Sequence, residues 1–176
     1  MGRKWANKGR LLNSLLLLIT AAAVATTVWA VFFREPETTL TPDYAPQETE
    51  PNAEAIPNDS GEKMESEKGG GSVSLTYSNQ VEIDLGEEAA LLLFANPGKS
   101  NQSIVLQIVI QNEVIVQSGA LMPGNQVKQL DLLSGAAAKL SPGGYGGLFV
   151  ILYYDQVTGE KAVVNTEIPI HITVHE

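Results

Sequence analysis

Ser103-Ile104-Val105-Leu106-Gln107-Ile108-Val109-Ile110-Gln111-Asn112-Glu113-Val114-Ile115-Val116-Gln117-Ser118 is the stretch that decides the fold. In an extended chain Ile104, Leu106, Ile108 and Ile110 share one face, and Ser103, Val105, Gln107 and Val109 share the other. A tight turn at Gln111-Asn112-Glu113 sets Ile110 opposite Val114 and Ile108 opposite Val116 on the core side, with Gln107 opposite Gln117 outside. That register leaves Val105, Val109 and Ile115 facing outward.

The same grammar continues on both sides. Between 72 and 176 the chain reads as short apolar runs separated by turn residues: Val73–Tyr77, Val81–Leu85, Ala89–Asn96, Ser103–Ile110, Val114–Ser118, Val127–Leu132, Leu148–Asp155 and Ala162–Val174. Only Ala136 to Leu140 has a helical look. Leu148 to Tyr154 is apolar throughout, the pattern of a central strand covered on both faces. Pro169 has no N–H to donate, which puts the last strand at a sheet edge or a bend around that position. The expected fold class is all-β, a single β-sandwich.

What precedes this domain is of another composition. Residues 1–10 form a basic head with Arg3, Lys4, Lys8 and Arg10, and residues 11–33 carry no charge. As a helix that apolar segment spans roughly 34 Å, enough to cross a hydrocarbon core about 30 Å thick. The charge asymmetry predicts the head inside and the domain outside, with Trp29, Phe32 and Phe33 toward the outer interface. The alternative is a cleaved signal peptide, with secretion following cleavage after Ala23-Val24-Ala25 or Val28-Trp29-Ala30. Residues 34–71 hold ten acidic and three basic residues, five prolines and Gly69-Gly70-Gly71, and are expected to form a disordered stalk.

Chemistry is sought by elimination. Zero cysteines exclude a disulfide framework, a thiolate metal site and a lipid-modified cysteine anchor. From 72 to 176 ten acidic residues face four basic ones, no footprint for nucleic acid. His171 and His175, four residues apart on a strand, stand about 13 Å from each other and cannot share a metal ion. No Gly-x-Ser-x-Gly elbow and no Gly-Lys-Ser/Thr phosphate loop is present. Glu82, Asp84, Glu87, Glu88, Asp131 and Asp155 are the residues from which a calcium site would be built, but they lack the Asp-x-Asp-x-Asp-Gly loop. The expectation is therefore no catalytic residues, no cofactor and no metal.

Leu140-Ser141-Pro142-Gly143-Gly144-Tyr145 resembles the Leu-x-Pro-Gly-x-Tyr corner of immunoglobulin-like and fibronectin-like sandwiches. The resemblance implies that Tyr145 is a structural corner whose hydroxyl bonds back into the connecting loop. Phe94-Ala95-Asn96-Pro97, Pro123-Gly124-Asn125, Tyr153-Tyr154-Asp155 and Thr158-Gly159 resemble small uncharacterised membrane-anchored proteins of Gram-positive bacteria, over roughly Val81 to Val174. That implies an architecture and a location, with no activity attached. The reading is a non-enzymatic protein-interaction module of a bacterial cell-envelope assembly or adhesion system. Its partners are the membrane, through 11–33, and an envelope protein, through Val105, Val109, Ile115 and Val163 by strand addition. Two alternatives are a carbohydrate- or calcium-binding module using Tyr153, Tyr154 and Asp155, and an envelope-enzyme inhibitor presenting Ser141 to Gly147.

Overall fold

The computed structural model describes residues 13, 16–24, 41–59, 61–66 and 70–176. Residues 16–24 are helical, and among the described residues no helix is long and apolar enough to cross a membrane. Most of the expected anchor, and residues 34–40 of the expected stalk, lie outside the described residues. Residues 40–176 form one compact unit, separate from 1–39.

Nine strands are described: β1 (Glu54–Ala55), β2 (Thr76–Tyr77), β3 (Gln80–Asp84), β4 (Ala89–Asn96), β5 (Gln102–Ile110), β6 (Glu113–Gln117), β7 (Asn125–Asp131), β8 (Gly143–Asp155) and β9 (Lys161–His175). The residues expected to look helical supply one 3-10 turn, Ala137–Lys139. The sheet runs β1-β7-β4-β3-β9-β8-β5-β6, with β2 also on β4. It is mixed, because β3 and β9 pair in parallel while the other strand pairs are antiparallel. It also curls on itself: Val116 of β6 bridges Leu132, just past β7, and the Leu133 N–H donates to the Ile115 carbonyl over 2.9 Å.

Alternation builds the core inside this curl. Ile104, Leu106, Ile108 and Ile110 meet Phe94, Phe149, Ile151, Ile172 and Val174, all buried. Phe94 and Phe149 pack edge to face at 5.4 Å between ring centres, and Tyr77 closes the cluster from β2. Buried Asn96 ties the β4–β5 connection together, its amide donating to the carbonyls of Gln102 (3.0 Å) and Leu121 (3.1 Å).

Two expectations about the central hairpin are corrected. The turn is a two-residue one, Gln111 and Asn112 both at positive φ (51° and 66°), so Ile110 pairs with Glu113 and Val109 with Val114. A bulge then places two residues of β6 against one of β5 and restores Ile108 opposite Val116 and Gln107 opposite Gln117. Ile115 is the extra residue; it is in the core at 2% exposure, not on the outer face.

The larger correction concerns the stalk. Residues 41–59 and 61–66 do not trail away as a disordered linker; they run across the sheet as a strap. The strap pairs with Glu160, just before β9 (from Tyr44), then with Ala120 (from Thr49), then with β7 through β1. Farther on, the Met64 N–H donates to the Lys99 carbonyl, and the Lys63 ammonium to that of Ser100. A polar, proline-rich sequence is retained there by backbone bonds and by a few inserted side chains. Glu50 is 6% exposed and accepts from the Gly119 N–H (2.7 Å) and the Asn52 N–H (3.0 Å). Asp59 accepts from the Gly98 N–H.

Candidate functional site

Long strands β8 and β9 make one hairpin, paired from Gly143 with Val174 to Tyr154 with Lys161. The glycine-rich start of β8, expected to be turn, is strand because the far half of β9 holds it. Gly147 lies so close to its neighbours that a Cβ there would meet Ile172 Cδ1 at 2.5 Å and the Val109 carbonyl at 2.9 Å. At the hairpin tip Asp155 accepts N–H bonds from Val157 and Thr158, both 2.8 Å. The Thr158 and Val157 amides hold its carboxyl below the usual range.

Among the described residues the outer side of β9 is partnered only at its ends. At the first end the Lys161 N–H donates to the Asp43 carbonyl, and the Ala45 N–H to that of Gly159. At the far end β3 pairs with β9 from His171 to His175, and the His171 N–H donates to the Asn79 carbonyl. Between these stops, from Ala162 to Ile170, no described strand lies against β9. Because the Lys161 and His171 amides both point away from β8, strand alternation directs the N–H and C=O of Asn165 and Glu167 to the same open side.

Two features bound the opening. Pro169, opposite Leu148, supplies no N–H at the far end, where β3 also stops. At the near end β9 spans three residues, Ala162 to Val164, against the single Tyr153 of β8. This bulge holds Val163 at 103% and Val164 at 69% exposure. A depression of about 470 Å³ lies beside it, lined by Asp43, Tyr44, Glu160, Lys161, Ala162 and Val163. At the other end a depression of about 430 Å³ lies between Val109, Leu148 and Pro169 on the outer sheet face.

The expected surface residues are thus separated. Val163 stands on the open edge, and Val109 is half-buried on the adjoining outer face. Val105 is on the outer face, as its alternation requires, but it is fully buried with Leu152 and Tyr154 beneath Ala45 of the strap. Leu148 to Tyr154 is therefore apolar on both faces because the core takes one and the strap covers much of the other. Tyr154 is itself fully buried; its hydroxyl donates to the Pro42 carbonyl (3.0 Å), and burial, then the Asp43 charge, raises its pKa. Tyr153 packs against the main core and donates to Thr166 Oγ1 over 2.7 Å. The Tyr154 ring is closed to a sugar, while the Tyr153 ring is half-buried. Tyr145 donates from its hydroxyl to the Ser141 carbonyl over 2.9 Å, back into the loop before β8.

Among the described residues no three His, Asp or Glu side chains gather as metal ligands, and Asp84 is engaged by the N–H groups of Gly86 and Glu87. Open backbone at the rim of β9 was legible in one signal, Pro169; the short reach of β3 had none.

No family model matches the chain, and no curated protein is similar to it. Among solved structures the CooA pilin subunit from enterotoxigenic Escherichia coli is similar over 59% of this chain and 99% of its own, at 15% identity and a TM-score of 0.24, a likeness too slight to add to the geometry.

Proposed function

We propose that the chain is a non-enzymatic interaction module of a bacterial cell envelope, anchored through residues 11–33 with its β domain on the outer side of the cytoplasmic membrane. The domain acts by contact, and its docking element is the open half of β9. The observation that carries this reading is the edge between Ala162 and Ile170, unpaired among the described residues and carrying two solvent-exposed valines, Val163 and Val164, at its near end. An edge of this kind accepts an added strand through main-chain bonds. The immunoglobulin-like assignment of the sandwich belongs to the same proposal and is supported by the Tyr145 corner.

The test is a photo-reactive residue placed in turn at Val163 and at Leu93, on β4, in the full chain in its native membrane. Cross-links to one discrete protein from position 163 and none from position 93 are expected. Equal labelling from both positions, or none from 163, contradicts the assignment of the edge.

A further inference from the structure

The two stops on β9 also say what kind of strand fits between them, an inference that rests on the docking reading above. A strand longer than the gap does not fit, because its ends would meet the strap at Asp43 and Asn79 ahead of β3. The β9 of a second copy fails for that reason, because it spans 15 residues and carries β3 on the side that would have to face the gap. The space admits roughly seven extended residues, about 23 Å. A segment that short and unencumbered is a chain terminus or a loop.

Its side chains are specified by what they meet. One face of the open stretch presents Val164, Thr166 and Ile168, the last packed against the main core, so the incoming segment needs apolar or β-branched residues at alternate positions. The other face presents Asn165 and Glu167, and the near end presents Glu160 and Asp43 beside the single cation Lys161, while the far end, with Pro169, Ile170 and His171, carries no acidic group. The surrounding domain is acidic as well, with ten acidic and four basic residues from 72 onward. We infer that the edge of β9 takes a short, flexible, basic segment with alternating apolar residues, contributed by the end or a loop of a partner protein.

Asn165 and Glu167 offer two N–H and two C=O groups, about four main-chain bonds, so the contact is weak by itself and sensitive to charge. The probe is the capped peptide Lys-Val-Thr-Val-Thr-Val-Lys, titrated into the isotope-labelled chain in detergent at low salt while the Asn165 and Glu167 amides are followed by NMR. Its two controls are the same peptide with both lysines replaced by glutamate, and one with the central valine replaced by proline.

Expected are saturable shifts and slowed exchange at Asn165 and Glu167 with the basic peptide, about tenfold weaker binding of the acidic one, and none of the proline peptide. Equal affinity for the basic and acidic peptides would overturn the basic-partner inference while leaving the edge reading intact. Shifts confined to residues away from β9, or binding of the proline peptide as tight as the parent, would overturn strand addition by this class of segment. Cross-linking from Val163 reports independently on whether the edge docks anything.

Discussion

At Gly119 the strap and the sheet are in backbone contact. A Cβ there would sit 2.8 Å from the Glu50 nitrogen and 3.0 Å from the Thr49 carbonyl carbon, and neither atom belongs to a side chain that can swing away. Gly119→Ala is expected to lift the strap, costing about 1–3 kcal/mol, and to open residues 41–66 to limited proteolysis while the sheet core stays resistant. Intact, uncut strap in that variant would mean that the segment is held elsewhere. At Asn96 the loss is of hydrogen bonds: Asn96→Ala removes the amide that bonds the Gln102 carbonyl and leaves the Leu121 carbonyl with the Ile104 N–H alone, and chemical denaturation should show a cost of about 2 kcal/mol. A pair of substitutions, one on β6 and one on β9, separates core from open edge. Ile115→Ala should cost about 3 kcal/mol as a core truncation, whereas Val163→Ser, fully in solvent, should leave stability within about 0.5 kcal/mol.

Among the elements, the β8–β9 turn carries a pH dependence. Asp155 bonds the Thr158 and Val157 amides as a carboxylate, so its folded pKa lies below that of the unfolded chain, about 3.9. The stability it contributes is complete above the unfolded value and is lost as pH falls through the folded one. The stability difference between the native chain and Asp155→Asn should therefore be constant above about pH 5 and shrink below about pH 4. A difference that grows on acidification would reverse the assignment. Strand existence was legible in the sequence because alternation at Ile104 to Ile110 and at Ile168 to Val174 reports burial directly. Ile115 was misread because the turn length, two residues and not three, shifts the register by one and a bulge shifts it back. Val105 was misread for a different reason: its cover is the strap, whose polar composition gives no sign of packing and whose contacts are mostly main-chain.

For the whole molecule, the curled sheet has most of its edges closed by its own chain. β6 meets the continuation of β7, β7 is covered at its start by the strap, and the far half of β9 is taken by β3. The bulge at Ala162 to Val164, Pro169 and the charge of Glu167 guard the remaining edge against indiscriminate pairing, narrowing it to a short window centred on Asn165 and Glu167. That window is the central claim, and amide hydrogen exchange on the purified full-length chain tests it most directly. The account predicts near-intrinsic exchange at Asn165 and Glu167, and strong protection at Thr166 and Ile168, which bond to β8, and at His171, which bonds to Asn79. Equal protection along the whole of Asn165 to Ile168 would show that the outer side of β9 is already occupied in the free protein and would contradict the account.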